Sequence, residues 1–118
     1  MNLKMPAILL RRVKNNCEQT IYLQCKDDEW SLEPSQEEVL NIPMVPCSSA
    51  DQYHENKLSV RIGDNMQNLW FQDDKLKRND SDEYDPDAPE IEIPDYQPGD
   101  NIKLICTDVD ILGEVDDE

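Results

Sequence analysis

Short runs in which apolar and polar residues alternate dominate this chain, and no long stretch carries the 3.6-residue period of a helix. The first such run extends from Pro6 to about Lys14 and stops at Asn15 and Asn16, which read as a turn. Thr20 to Lys26 alternates cleanly, with Ile21, Leu23 and Cys25 on one face and Tyr22 and Gln24 on the other, so these two runs are expected to pair as a hairpin. Asp27 and Asp28 predict a turn, Trp30 to Glu33 a short strand, and Pro34 to Glu37 a second polar turn. Val39, Leu40 and Ile42 are then expected to return to the core. Pro43 and Pro46 predict an edge strand or a strand's end there, because proline donates no hydrogen bond to a neighbouring strand.

Cys47 to Asn56 is polar and without period, a loop in which Ser48 or Ser49 is placed to cap one helical turn. Lys57 to Ile62 is the clearest strand, with Leu58, Val60 and Ile62 inward and Ser59 and Arg61 outward. Gly63, Asp64 and Asn65 supply its turn, and Asn68 to Gln72 returns as the next strand. Leu69 and Phe71 share one face of that strand, so Trp70 points to the other, either exposed or covered by a neighbouring segment such as the Pro-rich stretch after Asn79. Ile91 and Ile93 sit at period two inside that stretch and predict a short docked strand. Ile102, Leu104 and Cys106 make the last long strand, and Val109 to Leu112 a short final one. Short strands at about ten-residue spacing with no crossover helix predict an all-β fold: a small antiparallel β-sandwich, with a small β-barrel as the alternative and little or no helix. At 118 residues the whole chain, 1–118, reads as one domain with an acidic Pro-rich segment at 79–101 and an acidic C-terminal tail at 113–118.

Charge changes the functional picture more than the fold. There are 27 acidic residues against 11 basic ones, a net charge of -16, while Lys4, Arg11, Arg12 and Lys14 face no acid within the first fourteen residues. A surface of this sign disfavours direct contact with nucleic acid or anionic lipid and favours a basic protein partner or a divalent ion. Between Asn79 and Asn101 there are nine acidic residues, four prolines and no base, so the segment is expected to be extended and self-repelling.

Two acidic groups follow from this. Asp80, Asp82, Asp85 and Asp87, with Glu83 among them, offer hard oxygen ligands for calcium, although counting from Asp80 puts Asp85 and Ile91 where an EF-hand loop needs Gly and Glu. Asp108 and Asp110, followed by Glu114, Asp116, Asp117 and Glu118, read as a solvated C-terminus or, alternatively, as a lure for a basic partner. No other cofactor is expected. The catalytic inventory is thin: His54 is the one histidine, and only proximity to Cys17 would make it part of a nucleophilic site. Cys25 and Cys106 fall on apolar faces and read as core residues. With Cys17 and Cys47 they allow three disulfide pairings if the chain is exported. The apolar run Met5 to Leu10 is too short for a signal-peptide core or a membrane span, which leads to the expectation of a cytoplasmic or virion-type protein with reduced thiols. Asn79-Asp80-Ser81 matches a glycosylation sequon.

These features favour a non-enzymatic acidic interaction protein, an accessory subunit or immunity-type inhibitor, in which Trp70 anchors a basic protein surface and Asp108 and Asp110 steer it. The alternative is a calcium-dependent module for carbohydrate or lipid head groups built on Asp80, Asp82, Asp85 and Asp87.

Overall fold

The computed structural model describes residues 8–117, so Lys4, the Pro6–Ala7 start of the first predicted strand, and Glu118 lie outside the described residues. The strands are β1 (Ile8–Asn16), β2 (Ile21–Cys25), β3 (Asp28–Leu32), β4 (Glu37–Met44), β5 (Leu58–Ile62), β6 (Asn65–Gln72), β7 (Lys75–Asn79), β8 (Glu90–Ile91), β9 (Ile102–Thr107) and β10 (Ile111–Val115). One short helix, α1 (Ala50–Asn56), separates β4 from β5; Ser49 caps it by accepting a hydrogen bond from the Gln52 amide. The fold is all-β, with two mainly antiparallel sheets of order β10-β9-β1-β4 and β3-β2-β5-β6-β7-β8. No helix among the described residues is long and apolar enough to cross a membrane.

Period-two alternation builds the main core. Leu10 and Val13 of β1, Ile21 and Leu23 of β2, Leu58 and Val60 of β5, Leu69 and Phe71 of β6, and Leu104 and Cys106 of β9 meet in one buried cluster. Removing these side chains from water supplies the main driving force for bringing the two sheets together. Pro43 lies on β4, an edge strand as its missing amide requires. Val39, expected inside, is instead 42% exposed. The pairing of β4 with β1 shifts between Ile42 and Val39, and Asn41 there has φ 52°, so an irregularity breaks the alternation that would have turned Val39 inward.

Three pairings differ from the sequence expectation. β1 and β2 are not a hairpin: β1 joins the four-stranded sheet and β2 the six-stranded one, because the chain changes sheets at Asn15. The Asn15 side chain is buried there and donates to the carbonyls of Gln19 and Leu32, each at 2.9 Å, while accepting from the Cys17 amide at 2.7 Å. The sheets are also not wholly antiparallel, since β1 runs parallel to β9. The long connection that a parallel pair requires is supplied by the entire second sheet rather than by a helix. Finally, β7 had no predicted counterpart. It follows β6 through Asp73 and Asp74, both at positive φ (52° and 61°), a two-residue turn of the I′ type made without glycine.

The tail expected at 113–118 is largely structured. Gly113 to Val115 belong to β10, and the Asp116 side chain is only 2% exposed, with Arg11 at 3.1 Å and Arg12 at 3.4 Å. An extra residue in β1 between Leu10 and Arg12, relative to β9, interrupts the in-out alternation at two successive arginines, and both reach this one carboxylate. Gly63 opens the β5–β6 loop at φ 62°, a left-handed backbone conformation that favours glycine.

Candidate functional site

The segment after β7 is held in place by groups that accept and donate at its backbone. Asn68, buried on β6, donates to the Ser81 carbonyl at 3.0 Å, and the Tyr53 hydroxyl of α1 lies 3.1 Å from both that carbonyl and Asn79 Oδ1. Asn79 Nδ2 donates to the Glu83 carbonyl at 2.9 Å, and Lys77 Nζ donates to the Ala88 carbonyl at 3.0 Å. Both polar groups of the half-buried Asn79 amide are thus hydrogen-bonded. Tyr84 packs on Tyr53 and Trp70, Ala88 is buried beside them, and Ile91 enters the main core. These apolar anchors and hydrogen bonds hold a segment whose charges alone would keep it extended.

Trp70 lies beneath this cover. It is fully buried in a second, smaller core with Cys47, Tyr53 and Ala88, and its indole N–H donates to Gln72 Oε1 at 3.1 Å. It takes the covered position of the two that its strand allowed. In this arrangement it presents no surface to a partner and serves to seat α1 and the 84–88 segment on the outer face of the sheet.

A cleft of about 720 Å³ opens where this segment meets the β9–β10 loop. Asp80, Glu83 and Asp85 line one wall, Asp108 and Asp110 the other, and Ile62, Tyr84 and Ile111 contribute apolar surface. Asp80, Glu83 and Asp85 of one acidic group and Asp108 and Asp110 of the other thus line one cleft, although they lie in separate parts of the chain and suggested different chemistry. Asp82 and Asp87 are not in the lining. Asp82 instead lies 3.5 Å from Lys57 Nζ. Asp85 Oδ1 accepts from the Asp87 amide at 2.9 Å, and Asp108 Oδ1 from the Glu18 amide at 3.1 Å. Among the described residues no three His, Cys, Asp or Glu side chains form a group that could hold a metal ion.

Arg78 of β7 also lines the cleft, and its guanidinium donates to Asp110. That hydrogen bond is the main reason the Asp110 carboxyl titrates below the usual aspartate range; burial opposes it, and the Ile111 amide assists. Its stabilising contribution is present above the ordinary aspartate pKa, near 3.9, and is lost as pH falls through the lowered folded value. Replacing Arg78 by Gln is expected to raise the Asp110 pKa towards that ordinary value, read from carboxyl chemical shifts in an NMR titration. An unmoved Asp110 would disprove the pairing. Between the two aspartates stands Val109, 94% exposed at the tip of a loop closed by the Thr107 amide donating to the Asp110 carbonyl at 2.8 Å. Arg78 and Val109 were not singled out from sequence. Arg78 lies in a strand without an alternating pattern, and only the exposure of Val109 marks it.

The remaining reactive groups are disposed for structure. All four cysteines are buried free thiols. Burial raises the pKa of each, that of Cys106 to about 12, and Asp108 raises Cys17 further, so none is an activated nucleophile. Cys17 Sγ lies 3.3 Å from the Cys106 carbonyl, whereas His54 stands on α1 with its ring against Tyr53, and no hydrogen bond joins Cys17 to His54. Comparison with protein-family models, with curated proteins and with solved structures gives no match to this chain.

Proposed function

We propose that this chain is a non-enzymatic acidic interaction protein, an accessory subunit or immunity-type inhibitor, and that it receives a basic protein surface in the cleft between residues 80–85 and 108–110. The observation that carries this reading is the convergence of five carboxylates on one cleft that already holds a guanidinium, that of Arg78 on Asp110. Arginine suits such a site because its planar fork of donors matches carboxylate geometry and sheds water more readily than an ammonium. The net charge of -16 steers a cationic partner towards the protein, and the cleft fixes where it docks. Val109, rather than the buried Trp70, supplies the apolar contact at the rim.

The test is the affinity of a fluorescent nona-arginine peptide, followed by anisotropy at several salt concentrations. Asp80→Asn/Asp85→Asn/Asp108→Asn removes three cleft charges while leaving the oxygens that accept from the Asp87 and Glu18 amides. It is expected to weaken binding about tenfold or more. A control with the same charge change at exposed positions, Asp27→Asn/Glu55→Gln/Asp117→Asn, is expected to weaken it by less than about threefold. Equal losses would replace the cleft by diffuse attraction, and a melting temperature that rises with millimolar calcium but not with sodium chloride would favour the calcium-dependent alternative.

A further inference from the structure

The outer face of the six-stranded sheet is divided in two. Over β6 and β7 it is covered by α1 and the 84–88 segment, which seal Trp70, whereas over β3, β2 and β5 nothing among the described residues covers it. Ser31, Tyr22, Arg61 and Met66 stand opposite one another in a single row across β3, β2, β5 and β6. Tyr22 is 47% and Met66 44% exposed, and with Glu29 they line a shallow groove of about 570 Å³. The Arg61 guanidinium lies 4.7 Å from the centre of the Tyr22 ring. Tyrosine, methionine and arginine are residues enriched where proteins meet.

The charge on this face identifies what covers it. On a protein of net charge -16, the groove carries one acid, Glu29, and one base, Arg61, and is locally neutral. Neither has an ion-pair partner among the described residues. The two flank the central strand β2 on opposite sides, Glu29 on β3 and Arg61 on β5. A two-fold axis running between two such faces above β2 relates those positions, so Arg61 of each copy meets Glu29 of the other. An isologous interface needs a self-complementary patch of this kind. We infer that the open face around Tyr22, Arg61, Met66 and Glu29 is the contact surface of a weak homodimer, with two reciprocal Arg61–Glu29 pairs flanking a Tyr22 centre and Met66 at the rim beyond Arg61. For a weak contact of this kind a dissociation constant on the order of 100 µM is expected.

Sedimentation equilibrium of the full chain, from about 10 µM to about 1 mM at 150 mM sodium chloride, tests this, with the mass expected to rise towards twice the monomer value. Arg61→Glu and Glu29→Arg are each expected to raise the dissociation constant about tenfold or more, since each abolishes both pairs and opposes like charges. The double exchange is expected to restore it to within about threefold. The single variants change the net charge in opposite directions, so general repulsion would move them oppositely, whereas reciprocal pairing weakens both. Both side chains are exposed, and matched thermal melts will show that folding is intact. The cleft variant Asp80→Asn/Asp85→Asn/Asp108→Asn is expected to dimerise like the unaltered chain. A monomer throughout the range, unaffected single variants, a double exchange that fails to restore, or dimerisation weakened by the cleft variant would each overturn the inference.

Discussion

Replacing Trp70 by alanine is expected to cost about 3–5 kcal/mol of stability, a large part of what holds a domain of this size together. The indole is fully buried, its ring centroid lies 4.9 Å from that of Tyr53 and 6.2 Å from that of Tyr84, and its N–H is bound to Gln72. Truncation removes apolar area and leaves a cavity between the sheet and its cover, which the small neighbours Ala88 and Cys47 cannot fill. The same loss should loosen the 80–88 segment and with it one wall of the acidic cleft. Urea unfolding measures the first effect, and amide hydrogen exchange at residues 81–88 measures the second. Trp70→Phe, which keeps an aromatic ring but not the indole N–H, should recover much of the stability. A loss below about 1 kcal/mol for Trp70→Ala would mean that this second core is not packed as described.

What could be read from the sequence divides along local and non-local lines. β2 and β5 alternate cleanly, and their faces follow at once from Leu23, Val60 and their neighbours. Trp70 likewise had to oppose Leu69 and Phe71, and only what lay above it was open. β7 escaped notice because Lys75 to Asn79 has a single inward apolar residue, Leu76, and its turn uses Asp73 and Asp74 at positive φ where glycine or asparagine would have signalled it. The parallel pairing of β1 with β9 rests on contacts between the two ends of the chain, which no local pattern encodes. The same holds for the cleft. Asp80, Asp85, Asp108 and Asp110 were visible as two acidic groups, but their convergence depends on β7 and the β9–β10 loop meeting across the two sheets, where Arg78 joins Asp110. Asp116 shows the converse: as sequence it belongs to a solvated tail, and only the interruption in β1 that brings Arg11 and Arg12 to it explains its burial.

Asn15, which read as half of an ordinary turn, is the residue whose replacement by aspartate is expected to be most damaging for its size. Its amide donates to two carbonyls and accepts one backbone amide, all in a fully buried corner where the chain leaves one sheet for the other. Its own backbone is also engaged, donating to the Gln36 carbonyl and accepting from the Ser35 amide. Asn15→Ala should cost about 2–4 kcal/mol by stranding these groups away from water. Asn15→Asp keeps the shape but turns a carboxylate towards the Gln19 and Leu32 carbonyls, replacing two donations with two repulsions, at a cost of about 4 kcal/mol or more near neutral pH. That penalty should depend on pH. The buried carboxyl of the variant would titrate above its unfolded value near 3.9, because only its protonated form can donate to one of the carbonyls. The folded variant therefore binds more protons than the unfolded one, and the stability gap from the unaltered chain should widen as pH rises from about 4 towards the raised folded pKa. Urea unfolding of both proteins at pH 4 and pH 7 measures this gap. A gap that is constant or narrows with rising pH would contradict the two donations assigned to Asn15, and with them the hydrogen-bonded corner that sends β1 and β2 into different sheets.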